Sequence, residues 1–356
     1  MFFALRELRT ARWRFALITG VVLLLSVLVS GLLGLTAGLA GQSVSALRAL
    51  GSGGASFVLP ADADGAVDLD RAALTTEQID AVTAADPTAV PVGIARVTLD
   101  DGSETGVAAV AVGLSAPVGS VAVPGGGAAL VTDGVDDELG ADARSIGVNG
   151  TSLAVTGEAG DLWHSHTPVV VTDLDTWRDL APRGGPATMM AVDGGGSGAV
   201  GAGDPGSSSG SGLATVDADG LVDSLPSHRA ENTSLTTMTS MLLAVTALVV
   251  GAFFTVWGMQ RRRDIAVLKA LGASTGAVIR DSLGQAAIVL AVGVGGGVAI
   301  TALLGLLIGG TVPFVVSAGT TLVPALLLGG LGLAGAAVSL RPVVTVDPTT
   351  ALGASR

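Results

Sequence analysis

Three long stretches of this chain carry no charge. Arg14 and Arg48 bracket 33 uncharged residues, Glu231 and Arg261 bracket 29, and Asp281 and Arg341 bracket 59. A bilayer-spanning helix needs roughly 20 apolar residues. The first two stretches therefore hold one helix each, and the third holds two with a short turn near Gly309, Gly310 and Pro313. The pattern predicts spans at 16–39, 236–259, 284–308 and 321–340. Between the first and second lies a region of different texture, residues 41–235, with short alternating runs instead of long apolar ones. There the pattern predicts mixed α and β structure. Thr75 and Gln78 form a capping box for a helix that Asp86-Pro87 ends. RVTLD (96–100) and VAAVAVG (107–113) flank Asp101-Gly102 as a hairpin. Further strands are read at AALVT (128–132), SLAVTG (152–157) and TPVVVT (167–172). The fold class is a membrane protein of four transmembrane α-helices, arranged 1+3, around a large mixed α/β extracytoplasmic domain.

Charge orients the spans. With the N-terminus inside, residues 1–14, 261–281 and 341–356 hold 11 basic and 4 acidic residues, while 41–235 holds 7 basic and 26 acidic ones. Arginine and lysine beside spans stay on the cytoplasmic side. Both termini are therefore expected in the cytoplasm of a multi-pass plasma-membrane protein, with residues 341–356 as a cytoplasmic tail. Residues 1–15 read as a basic amphipathic helix on the inner surface, with Phe2, Leu5 and Leu8 on one face and Arg6, Arg9 and Arg12 on another. The first span also resembles a signal peptide ending at Gly38-Leu39-Ala40. Its apolar core exceeds the roughly 7–15 residues of a signal core, so an uncleaved anchor is expected.

Composition agrees with this picture and excludes several chemistries. Mean hydropathy is +0.67 and only 13% of residues are charged, against about 25% in a soluble domain. Cysteine is absent, which rules out disulfides and thiolate chemistry. The single lysine, Lys269, lies between Leu268 and Ala270, so the chain lacks a phosphate-binding Gly-Lys-Ser/Thr loop. Any ATP must be bound by another chain, and no enzyme activity is expected of this one. The spans contain no ionisable residue, which disfavours a proton or sodium relay through them. Residues 194–213 are Gly/Ser-rich and too poor in apolar surface to hold a packed structure.

Candidate sites are few. In WHSH (163–166), His164 and His166 would share a face of a strand and suggest a metal, but no third ligand is evident, so a polar strand or loop is the plainer reading. Glu231 stands at the entrance to the second span, with His228 before it and Met238 and Met241 beyond. A carboxylate there ligates a metal centre, steers a cation, or simply favours a helix N-terminus. Gly34 and Gly38, and Gly293 and Gly297, are small-xxx-small pairs, suited equally to packing within a chain or between copies. In RRRDIAVLKALGAS (261–274), Ile265, Leu268 and Leu271 recur at helical spacing among charges, as in a helix that docks on a cytoplasmic partner.

That last segment carries a resemblance. One span, a large domain, three further spans, and Arg263-Asp264-Ile265 followed by Lys269-Ala270-Leu271-Gly272-Ala273-Ser274 are together similar to FtsX-like/MacB-type permease subunits of ABC transporters. VDPTTALG (346–353) resembles that family's ending, and LAVTG and SHTPVVVT resemble its strands; the insert at 194–213 is a departure. MFFALRELRTARWRFALITG, AENTSLTTM and VPFVVSAGT look closest to the DevC/HrtB-like branch, which includes haem exporter permeases. The resemblance implies a homodimer embedded in lipid, two copies of a separate ABC ATPase subunit, no nucleic-acid partner and no tightly bound cofactor. It implies export by mechanotransmission of an amphipathic molecule, haem foremost. Arg263, Asp264, Ile265, Leu268, Lys269 and Leu271, within the cytoplasmic segment 261–281, would couple to the ATPase. Glu231, with Met238 and Met241, would contact the haem. The same machine could instead export a lipid, a peptide or an antimicrobial compound, or regulate an extracellular hydrolase without transporting anything.

Overall fold

The computed structural model describes residues 12–100, 106–139, 144–181, 185–193, 212–260, 274–308 and 312–339. In chain order its elements are helix α1 (Arg12–Leu50), strand β1 (Ser56–Pro60), helix α2 (Thr76–Ala85), strands β2 (Val90–Asp100), β3 (Val107–Leu114) and β4 (Ala128–Val131), and helix α3 (Asp133–Leu139). Strands β5 (Ser145–Val148), β6 (Thr151–Glu158), β7 (Trp163–His164) and β8 (Thr167–Asp173) follow, then helix α4 (Leu174–Leu180) and strands β9 (Met189–Val192) and β10 (Leu213–Val216). Helices α5 (Ala218–Asp223), α6 (Pro226–Gln260), α7 (Thr275–Ile308) and α8 (Ala318–Ser339) complete the chain. Most of the amphipathic stretch 1–15, nearly all of the Gly/Ser-rich segment 194–213 and the whole of 340–356 lie outside the described residues. The chain divides into two compact units, residues 39–233 and residues 1–38 with 234–356.

The first unit is β-rich. Its sheet runs β10-β1-β9-β2-β3-β8-β4-β6-β5, with β7 paired to β8. Strand β2 is long enough to serve two further neighbours besides β3. Val90–Val92 pair with β9, while Leu99 and Asp100 pair with Val148 and Gly147 of β5. That second contact closes β2, β3, β8, β4, β6 and β5 into a ring. Strands β3 and β8 run parallel in its wall and are buried on both faces, as central parallel strands usually are. Val110, Val112, Val169 and Val171 join one core with Phe57, Leu114 and, from the end of α1, Val44, Leu47 and Leu50. Ala109, Ala111 and Val170 join the other with Leu99 and Trp177. Trp177 is held where two glycines face each other across the β2–β3 ladder, Gly93 opposite Gly113. A Cβ at either would collide with the tryptophan. Helix α2 is capped by Thr75 and Gln78 as the capping box predicts, and it ends at Asp86.

The second unit holds four helices long and apolar enough to cross a membrane. They extend beyond the stretches that hydropathy alone brackets. The last three each have a chemically marked start. Pro226 opens α6, in the first turn where its missing N–H costs nothing. The Ser274 hydroxyl accepts from the Ala277 N–H at 3.2 Å ahead of α7. Ser317 and Thr320 cap α8 reciprocally, at 3.2 and 2.9 Å. The glycine pairs serve packing within the chain. A Cβ at Gly293 would meet Val22, and one at Gly297 would meet Ser26. The Ser26 hydroxyl then reaches the Val294 carbonyl at 3.1 Å. Between α7 and α8 the chain folds back. Phe314 sets its ring against Gly34 and Gly305, the Pro313 carbonyl lies against Gly38, and the Val315 N–H donates to the Gly34 carbonyl at 3.2 Å.

Candidate ligand site at Glu231

Within the β-rich unit, three polar side chains from distant parts of the sequence converge. Ser43 comes from the last turns of α1, His166 from the turn between β7 and β8, and Glu231 from the second turn of α6. His166 Nε2 lies 3.0 Å from Glu231 Oε2 and 3.0 Å from Ser43 Oγ, and Ser43 Oγ donates to the same carboxylate oxygen at 3.3 Å. An ionised carboxylate only accepts hydrogen bonds. With the imidazole proton on Nε2, that N–H is shared between Glu231 Oε2 and Ser43 Oγ while the Ser43 hydroxyl donates to the same carboxylate oxygen. The His166 and Glu231 side chains keep 38% and 30% of their surface open, so the pair is accessible to a ligand. Such a partly exposed pair contributes at most about 1 kcal/mol.

The turn that presents His166 is built from unusual residues. Ser165 and His166 both have positive φ, 49° and 60°, as a two-residue hairpin turn requires. The neighbouring β5–β6 hairpin makes its turn with Asn149 and Gly150, at 48° and 80°, residues that tolerate this region well. For Ser and His the same shape costs roughly 1–2 kcal/mol each. That cost is offset by anchoring to α1. The Ser165 and His166 N–H groups donate to the Ser43 and Gln42 carbonyls, both at 2.9 Å, and the Trp163 N–H donates to Ser45 Oγ at 2.7 Å.

This turn also corrects the strand reading of WHSH. His164 and His166 do not share a face, because the chain reverses between them. His164 points into the core and is 4% exposed, and burial, reinforced by the Arg96 charge, pulls it down to about 4. His166 points to Glu231. His228, one helical turn before Glu231, is buried.

The arrangement limits the chemistry. Serine, histidine and glutamate suggest a nucleophilic relay, but a relay needs the acid and the nucleophile on opposite ring nitrogens. Here both address Nε2, so His166 cannot pass a proton from one to the other. Among the described residues no group of three or more His, Asp or Glu side chains stands ready to hold a metal ion. What remains is an accessible carboxylate, able to give an oxygen lone pair to an electrophilic centre. Met238 and Met241 lie further along α6 in the helical unit, 59% and 66% exposed. Arg263, Asp264, Ile265, Leu268, Lys269 and Leu271 lie outside the described residues. Glu231 is singled out in the sequence by its place before a span. Ser43 is not, and its only signal is the polar run Gln42, Ser43 and Ser45 at the end of an apolar helix.

Four apolar helices and a β-rich unit between the first and second make this a multi-pass membrane protein. Residues 236–348, which take in most of α6 and all of α7 and α8, match the FtsX-like permease C-terminal family. Two curated relatives are similar over 142 residues. One is a putative hemin transport system permease protein HrtB of Staphylococcus epidermidis (strain ATCC 35984), 27% identical over 40% of this chain and 41% of the relative. The other is the protein of that name from Staphylococcus haemolyticus (strain JCSC1435), 32% identical over 40% of each chain. The chain thus spans about two fifths of the length of the curated relatives it matches.

Proposed function

We propose that this chain is the permease subunit of an ABC-type exporter and that its cargo is an amphipathic molecule, haem foremost. The observation that carries the reading is the likeness of residues 236–348 to the FtsX-like permease domain, joined to relatives named for hemin transport. In this reading two copies of the chain work with two separate ATPase subunits. The β-rich unit faces outward and both termini face the cytoplasm, because arginines crowd the other ends of the spans. Segment 261–281 receives the ATPase motion, and the helices pass it outward to expel cargo by mechanotransmission.

Glu231, with Met238 and Met241 further along the same helix, is the cargo-contacting group. Haem iron carries positive charge that a carboxylate oxygen can meet. Carboxylate ligation is weaker than the histidine, thiolate, methionine or tyrosinate ligation of resident haems, and loose holding suits a cargo that must be released. The test is haemin titration of the purified full-length protein. A Soret band that shifts or weakens in Glu231→Ala is expected, and an identical band in the two proteins would remove Glu231 as the ligand.

A further inference from the structure

Glu231 is engaged by donors from two other elements, as a carboxylate held in place for a ligand would be. Both hydrogen bonds fall on Oε2, one from His166 and one from Ser43. The imidazole is delivered by a turn whose two residues sit at positive φ without being glycine, and that turn is tied by main-chain hydrogen bonds to Gln42 and Ser43 on α1. An Asn-Gly turn of the kind found between β5 and β6 would be easier to form but would place no imidazole here. Backbone strain retained at one spot and held by its surroundings is a mark of function.

We propose that His166 and Ser43 are positioning residues that form a latch on Glu231. In the ligand-free protein they hold its carboxylate. A ligand whose electrophilic centre, such as the iron of a metalloporphyrin, takes Oε2 displaces both donors, since both bonds fall on that oxygen. Doing so removes the side-chain tie between the start of α6 and both the end of α1 and the β7–β8 turn, so occupancy of the site is converted into release of the start of α6. The inference rests on Glu231 being the cargo-contacting group.

Two measurements on the full-length protein separate the latch from the haem reading. The first is the rate at which a water-soluble carbodiimide couples glycine ethyl ester to Glu231 without ligand, read by peptide mass spectrometry. His166→Gly removes the imidazole and suits the turn, and it should label about three- to fivefold faster than wild type. Ser43→Ala should show a smaller gain, and His166→Gln, which keeps a donor, should fall back toward wild type. The second is haemin titration. His166→Gly should bind about three- to fivefold tighter with an unchanged spectrum, and the gain should vanish when Glu231→Ala is added. Equal labelling rates in all variants would overturn the latch whether or not haemin binds. A new haemin spectrum in His166→Gly would make His166 itself a ligand and would overturn it too. Faster labelling with no haemin binding by any protein would uphold the latch and dismiss haem as the cargo. Should His166→Gly fail to fold, Ser43→Ala carries the same predictions at smaller size.

Discussion

The β-rich unit and the helical unit both draw on apolar residues and use them in opposite directions. In the β-rich unit Phe57, Leu99, Leu114 and Trp177 have no exposed surface. In the helical unit Leu248, Leu306 and Leu326 turn about three quarters of their surface outward, at 72%, 76% and 74%. Water would penalise each such leucine by about 1.5–3 kcal/mol, whereas lipid does not. The cohesion of the two units therefore differs in kind. The first is driven by removing apolar surface from water. The second, already in an apolar solvent, is held by close packing and by hydrogen bonds between helices. Glycine follows the same division. Gly93 and Gly113 open a place for one large side chain, Trp177, while Gly293 and Gly297 let one helix approach the backbone of another.

Substitutions can break this contrast. The largest effect is expected at Trp177. Trp177→Ala should cost the β-rich unit about 4 kcal/mol through lost burial and the cavity left behind. Hydrogen exchange would show this as lost protection in β2, β3 and β8; unchanged protection there would mean that the tryptophan burial contributes little. Next comes His164, an ionisable group buried in the β-rich unit. The folded protein holds His164 near 4, and an unfolded chain titrates at about 6.5. Between those values the unfolded state binds the extra proton. Stability is then full above about pH 6.5, falls as pH drops, and has lost about 3 kcal/mol by about pH 4. His164→Leu should flatten that slope in a pH series of exchange measurements. The smallest effect belongs to the helical unit. Gly297→Val should cost about 2 kcal/mol by pushing Ser26 away, and it should speed exchange in α1 and α7 without touching the sheet. A silent Gly297→Val would mean that the close approach carries no energy.

The parts of the fold legible in the sequence are those set by local chemistry. Spans stand out because a charge in lipid is costly, so uninterrupted apolar runs announce themselves. Thr75 and Gln78 announce a helix start because both partners of the cap lie within one turn. The Val-rich run of β8 was legible as a strand, but nothing in it names its neighbours. Its parallel pairing with β3, and the closure of the ring through Leu99 and Val148, depend on contacts between residues far apart in sequence. The candidate site divides in the same way. Glu231 could be found from its place before a span. Its partnership with Ser43 and His166 could not, since they lie 188 and 65 residues from it and their side chains have no fixed partner until the sheet has formed. For WHSH, alternation suggested one shared face, and a two-residue reversal undid it.

The fold-back between α7 and α8 has a bearing on how this sequence can vary. Phe314 is seated against positions 34 and 305 only because both lack a side chain, and the positions come from two different helices. Enlarging either would collide with the ring, and shrinking the ring would leave a hollow that a methyl group at 34 or 305 could refill. Neutral drift at these three sites is therefore coupled, and among descendants of this chain the three residues should be inherited as a set.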